Sequence, residues 1–257
     1  MKIIKSYARM ITLNHMDDEP EEFTEAHGRR LLQHIEWCGR VSHRSEEKMT
    51  DDSYDRFIRA VVLGHGDWSI VEHTMISVDA IVDRGITHEW VRHRIGAYTQ
   101  ESTRFVNYEK HMPPSFIYPK PDVECQYCLA GNQPFELAGR WCHEIDGNAD
   151  FETCVYDASW LDAINMSEAS YKGLLAKKWR PQEARSVFPN ALASRLITTY
   201  NLRNWRHFFL MRTSAEAHPQ MREVTIPLLN EFKAKIPILF EDIEPNQKQS
   251  DNMKKMR

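Results

Sequence analysis

The sequence predicts a single α/β domain, and three stretches carry that prediction. In TEAHGRRLLQHIEWC, residues 24–38, Leu31, Leu32, Ile35 and Cys38 recur at helical spacing. In TMISVDAIVDR, residues 74–84, Ile76, Val78, Ala80 and Val82 alternate with more polar positions, the period of a half-buried strand. In ALASRLITTY, residues 191–200, a strand feeds NLRNWRHFFLMR, where Trp205, Phe208, Phe209 and Arg212 fall at i, i+3, i+4 and i+7. The chain has 257 residues, 42% of them hydrophobic, enough to furnish one large core. With no internal repeat and no obvious linker, one domain is expected over residues 1–240.

The remaining elements follow in chain order. Residues 1–15 read as a short edge strand leading into the acidic, solvated stretch DDEPEEF. Asp51 and Asp52 precede SYDRFIRAVVLGH, with Tyr54, Phe57, Ile58, Val61 and Val62 on one face, so a second helix should stop near Gly64. After the central strand, ITHEWVRHRI returns to helical spacing through Ile86, Trp90 and Val91. That places Arg92, His93 and Arg94 at the end of a short helix, with a turn-prone stretch through Gly96 beyond. Residues 112–165 hold a Pro-, Gly- and Cys-rich run with little periodicity and read as an elaborated insertion. Helices are expected over 166–179 and 219–234, and a polar, frayed tail over 241–257.

Charge and cysteine usage narrow the function. The net charge is −4, from 33 basic and 37 acidic residues, so no global field favours nucleic acid or an anionic membrane and any anion site must be local. Lys5 and Arg9 interrupt what would be a signal's apolar region, and no apolar run approaches membrane-spanning length, which predicts a cytoplasmic protein. Five cysteines argue against structural disulfides. Cys125 and Cys128, with Cys142, His143 and Cys154, could grip a zinc ion, but no second close Cys pair accompanies them; reduced thiols and no metal are the expectation.

Familiar motifs fail on inspection. GHGDWS, residues 64–69, lacks the third glycine of a dinucleotide fingerprint and follows a helical pattern. His88-Glu89 has its next histidine at His93, off the helix face a zinc pair needs. What survives is arginine in apolar company: Arg92, Arg94 and Arg104 in one stretch, and Arg185, Arg203 and Arg212 in the last third. Any one of them could pair with a carboxylate. Jointly they favour a phosphorylated, heterocyclic ligand, because the planar guanidinium fork suits phosphate and oxo-heterocycle edges.

Arg92-His93-Arg94, seven residues and then Ser102 resembles the signature of the flavin-dependent thymidylate synthases, and Arg104 matches the arginine of its longer form. GRVSHRS at 39–45, SIVEH at 69–73, EARSVFP at 183–189, NLRNW from Asn201 and FFLMR ending at Arg212 follow in that family's order. The resemblance implies an α+β fold, a central mixed or antiparallel sheet flanked by helices, assembled as a homotetramer with FAD and dUMP where subunits meet. It implies reductive methylation of dUMP to dTMP, with methylenetetrahydrofolate giving the carbon and NADPH the hydride through the flavin. By position, Ser69, Arg92, His93, Arg94, Gln100, Asn201, Arg203 and His207 would line the flavin. Glu89, Trp90, Val91 and Arg92, then Gln100, Glu101, Ser102, Thr103 and Arg104, with Arg185 and Arg212, would hold dUMP.

Uracil carbon five is a poor nucleophile, so a route without a covalent cysteine must polarise the ring; Arg212 is the expected catalytic residue. Ser102, with no evident partner base, reads as a hydrogen-bond donor to the nucleotide. The chain departs from the family pattern at Ala97, Thr99 and Gln100, where Ser, Asn and Glu are usual, and at Glu89, where Gln is frequent. Those changes look like an exchange of amide and carboxylate, so Glu89 is expected to compensate Gln100. Either His65 or Asp67 would stand where the family has a histidine. A competing reading is a non-catalytic nucleotide- or RNA-binding protein stacking bases on Trp90, Tyr98 and Trp205.

Overall fold

Thr24 starts the first helix. Its hydroxyl accepts the amide of His27 while the His27 ring accepts the amide of Thr24, a reciprocal cap that satisfies two otherwise orphaned donors. The structure, a computed structural model, describes residues 2–11, 23–110, 113–119, 135–136 and 157–255. The chain forms two compact units. The first comprises Met1–Tyr7, Ile81–Trp90 and Gln100–Leu196, the second Ala8–Ala80, Val91–Thr99 and Ile197–Arg257.

The elements of the second unit carry most of a four-stranded antiparallel sheet in the order β2 (Tyr7–Ile11), β3 (Met75–Asp83), β7 (Ala193–Asn201), β4 (Ala97–Gln100). Helix α1 (Glu25–Val41) buries Leu32 and Ile35, and α2 (Ser53–Ile58) buries Ile58 before widening into a π-helical turn over Arg59–Gly64. Gly66 then takes a positive φ of 84°, a turn rather than a strand-to-helix junction, which disposes of the dinucleotide motif.

Strand β3 corrects one expectation. Its alternation predicts a half-buried strand, yet Ser77, Asp79 and Asp83 are buried along with the alternating apolar side chains, because β3 lies inside the sheet and is covered on both faces. The polar atoms have partners: Ser77 Oγ meets Thr199 Oγ1 at 2.6 Å, and Arg9 approaches the Asp79 carboxylate at 3.6 Å.

Strand β7 runs into α6 (Leu202–Arg212), where the Asn201 side chain caps the helix by accepting the Asn204 amide at 2.8 Å. Trp205, Phe208 and Phe209 are fully buried, as the stripe predicted. They pack onto Phe232 of α7 (Pro219–Lys235), with the Trp205 and Phe209 rings 5.3 and 4.9 Å from it. Arg206, on the opposite side of the stripe, is buried and forks onto Asp242 through two bonds of 2.6 Å. The tail is less frayed than expected. Ile243 is fully buried, α8 (Pro237–Phe240) precedes it, and α9 (Gln249–Lys254) follows.

In the first unit, Asp83 accepts the Ile86 amide at 2.9 Å and so starts α3 (Arg84–Trp90), which ends just before the Arg-His-Arg triplet. The stretch after the triplet is not merely a turn: residues 97–100 are β4. Helix α4 (Ala158–Ala176) begins eight residues earlier than its periodicity indicated, where Asp157 caps Trp160 at 3.2 Å, and stops before Lys178, whose φ is 65°. The four-residue α5 (Pro181–Ala184) follows. Strands β1 (Lys2–Ile3), β5 (Ser115–Phe116) and β6 (Phe135–Glu136) make a small mixed sheet, β1 pairing parallel with β5 and antiparallel with β6. The core here is Tyr108, Phe116, Ile164, Tyr171, Ala184 and Leu192. The rest of the proposed insertion and the zinc candidates Cys125, Cys128, Cys142, His143 and Cys154 lie outside the described residues. Among the described residues no cluster could hold a metal ion and no helix is long and apolar enough to cross a membrane.

Candidate active site

The expected site residues fall into two groups, one in each unit. In the second unit, Arg92, His93, Arg94, Ile95, Tyr200, Asn204, His207 and Arg212 line a cleft of about 410 Å³. No carboxylate is among these lining residues, so the guanidiniums set its charge.

His93 is the hub. Arg212 Nε donates to His93 Nε2 at 2.8 Å, so that nitrogen carries no proton and the neutral ring keeps its hydrogen on Nδ1. Burial, then the neighbouring Arg212 and His207, push the His93 pKa down to about 4. His207 is lowered for the same first reason, burial, with Arg212 second. The His93 ring sits edge-on to Phe208, with centroids 5.0 Å apart, and 5.7 Å from His207. At neutral pH the cleft thus holds fixed guanidinium charge and two uncharged imidazoles, a composition suited to anionic groups.

The backbone of the triplet is pinned from behind. Tyr98 donates its hydroxyl hydrogen to the His93 carbonyl, and its oxygen lies 2.6 Å from the Tyr200 hydroxyl. With the Tyr98 hydrogen committed, Tyr200 is the donor of that second bond. Asn204 Nδ2 holds the Ile95 carbonyl at 2.9 Å. A Cβ on Gly96 would lie 2.2 Å from the Tyr200 ring, so only glycine lets the chain pass there. Arg203 pairs with Glu72 of the SIVEH segment, both half-exposed, and Ser69 is exposed on the same short turn (Trp68–His73). His65 and Asp67 are both exposed.

In the first unit the loop after β4 is tied down residue by residue. Gln100 Nε2 donates to Thr87 Oγ1 and Ser194 Oγ at 3.0 and 3.1 Å. Glu101 accepts the Tyr108 hydroxyl at 2.8 Å, and the Tyr108 phenol is held above its usual range by burial and by that carboxylate. Ser102 accepts the Arg104 amide at 3.3 Å and caps the turn with its carbonyl, the geometry of a structural hydroxyl rather than of a base-paired nucleophile. Thr103, buried, accepts from Arg185 at 2.7 Å, and Arg104 donates to Gln182 at 3.0 Å. Glu89 is half-buried on α3.

Trp90 and Trp205 are fully buried, which removes them as stacking surfaces for nucleic acid and leaves Tyr98 half-buried and hydrogen-bonded. Sequence reasoning missed Tyr200, Asn204, Thr87 and Ser194. Asn204 and His207 share a spacing of three at the start of α6, a signal present in the sequence; the hydroxyls of Thr87, Ser194 and Tyr200 had none.

A family model described as thymidylate synthase complementing protein matches residues 18–238. A protein named flavin-dependent thymidylate synthase from Corynebacterium efficiens is 32% identical over 231 residues, covering 86% of this chain and 82% of that protein. One of the same name from Mycobacterium sp. strain JLS is 32% identical over 247 residues, covering 88% of this chain and 84% of that protein. Another, from Mycobacterium tuberculosis strain H37Ra, is 31% identical over 231 residues, with 86% and 82% covered.

Proposed function

The chain belongs to the thymidylate synthase complementing protein family, and from that premise we propose how its residues divide the work of a flavin-dependent thymidylate synthase. The reaction is reductive methylation of dUMP to dTMP, with methylenetetrahydrofolate as carbon donor, NADPH as reductant and FAD as cofactor. Bound FAD supplies the hydride chemistry, which no side chain can.

The donor set fits that cofactor. In the second unit, Arg92, His93 and Arg94, with Asn201, Arg203 and His207 of the β7–α6 junction and Ser69 of the neighbouring turn, offer guanidinium, imidazole and amide donors suited to a pyrophosphate and an oxo-heterocycle. Gln100, Glu101, Ser102, Thr103 and Arg104, with Arg185 and the Glu89 to Arg92 segment, hold dUMP and orient its ring. Arg212 is the catalytic residue. Its guanidinium stabilises the anionic form of the pyrimidine, replacing the covalent cysteine that the cleft lining lacks. The observation that carries this reading is the Arg212 to His93 hydrogen bond, which fixes the guanidinium at the cleft.

The enzyme works in the cytoplasm as a homotetramer with active sites where subunits meet. Supporting this, Ile95 and Phe105, beside the two groups of site residues, are about three-quarters exposed and apolar (75% and 76%). Light scattering of purified protein should give four chains. The chemistry is tested by anaerobic bleaching of flavin absorbance by NADPH in FAD-loaded protein, and by dTMP formation. Bleaching altered by dUMP supports the reading; no flavin uptake and no dTMP sinks it.

A further inference from the structure

Gln100 stands against two buried hydroxyls. Thr87 is fully buried and Ser194 is 1% exposed, and each accepts one of the amide's two hydrogens, at 3.0 and 3.1 Å. The Thr87 hydroxyl has a single hydrogen, and it goes to the Arg84 carbonyl at 2.9 Å. The direction of the network is therefore fixed from its far end. Arg84 offers only an acceptor, Thr87 must donate to it, and what faces Thr87 must be a donor. An amide satisfies that requirement. A carboxylate would set lone pairs against lone pairs, unless Thr87 gave up its bond to the Arg84 carbonyl.

We infer that Thr87 and Ser194 are positioning residues that fix Gln100 as a hydrogen-bond acceptor toward the nucleotide, and that they dictate an amide rather than a carboxylate at this position. With both amide hydrogens engaged, Oε1 is the atom with capacity remaining. The ligand group it selects is a donor, such as the imide N–H of a pyrimidine or a ribose hydroxyl. This inference rests on the assignment of residues 100–104 to dUMP. It is independent of the expected exchange with Glu89, because the groups that hold the Gln100 amide are Thr87 and Ser194.

The test is dUMP binding to full-length protein by calorimetry. Gln100→Glu should weaken binding about tenfold, and Thr87→Val by a similar factor, as loss of one well-formed hydrogen bond predicts. Thr87→Ser, which keeps the hydroxyl, should stay within about twofold of wild type. In the Thr87→Val background the lone-pair conflict is gone, so Gln100→Glu should cost less than about threefold. Wild-type affinity in Gln100→Glu, equal affinities in Thr87→Val and Thr87→Ser, or additive effects in the double variant would each overturn the inference. Should Thr87→Val not fold, Gln100→Glu alone decides. A wild-type protein that binds no dUMP would instead sink the assignment of residues 100–104.

Discussion

The two groups of site residues are built on opposite plans. In the second unit, cation is gathered on one cleft: Arg212 donates to a neutral His93, and the lining residues include no carboxylate. In the first unit, almost every polar side chain from Gln100 to Arg104 already has a protein partner, Arg185 on Thr103 and Arg104 on Gln182 among them. One region gathers its charge at a cleft; the other invests its polar groups in holding shape. Ligand binding should therefore change electrostatics in the first case and little geometry in the second.

The largest effect should come from Arg212→Ala, which ought to lower dTMP turnover by about 10²- to 10³-fold, as loss of a donor aimed at developing charge does. Arg212→Lys keeps the charge without the fork, so turnover near wild type would show that charge alone matters. Next, Arg94→Ala should weaken flavin binding about tenfold at low salt and less at high salt, because this exposed cation is screened. Arg185→Ala, which removes the donor held against Thr103, should raise the KM for dUMP about tenfold. Unchanged flavin binding in the first variant, or an unchanged KM for dUMP in the second, would erase the distinction between the regions.

A smaller effect concerns pH. His93 titrates near 4 when folded against about 6.5 when unfolded, so the unfolded chain binds more protons between those values and stability falls as pH drops through that window. His93→Gln should flatten this part of the curve of Tm against pH. A wild-type slope unchanged by the substitution would mean the ring is not held neutral. The smallest effect belongs to Glu72→Ala, whose half-exposed pair with Arg203 should contribute within about 1 kcal/mol by urea unfolding.

Much of this was legible in sequence, and the failures share a cause. The stripe of Trp205, Phe208, Phe209 and Arg212 reported its own helix because helical period and burial agree along one element. Arg92, Arg94 and Arg212, which line one cleft, could be singled out because charge next to apolar residues is a local signal. Burial of Ser77 and Asp79 was not legible, since it depends on which strands flank β3. Strand β4 was hidden because AYTQ acquires strand character only through its place beside β7. Thr87, Ser194 and Tyr200 escaped because a hydroxyl's importance lies in the group opposite it, and nothing in its own neighbours encodes that.

The contact between Gly96 and Tyr200 sets a limit on transplanting the signature. The aromatic ring occupies the space where any side chain at 96 would begin, and its hydroxyl reaches, through Tyr98, the carbonyl behind His93. A protein engineer who moved residues 91–104 into another scaffold would carry the motif but not the ring that shapes it. The portable module is thus a discontinuous one, and its shortest working version includes a tyrosine more than a hundred positions downstream.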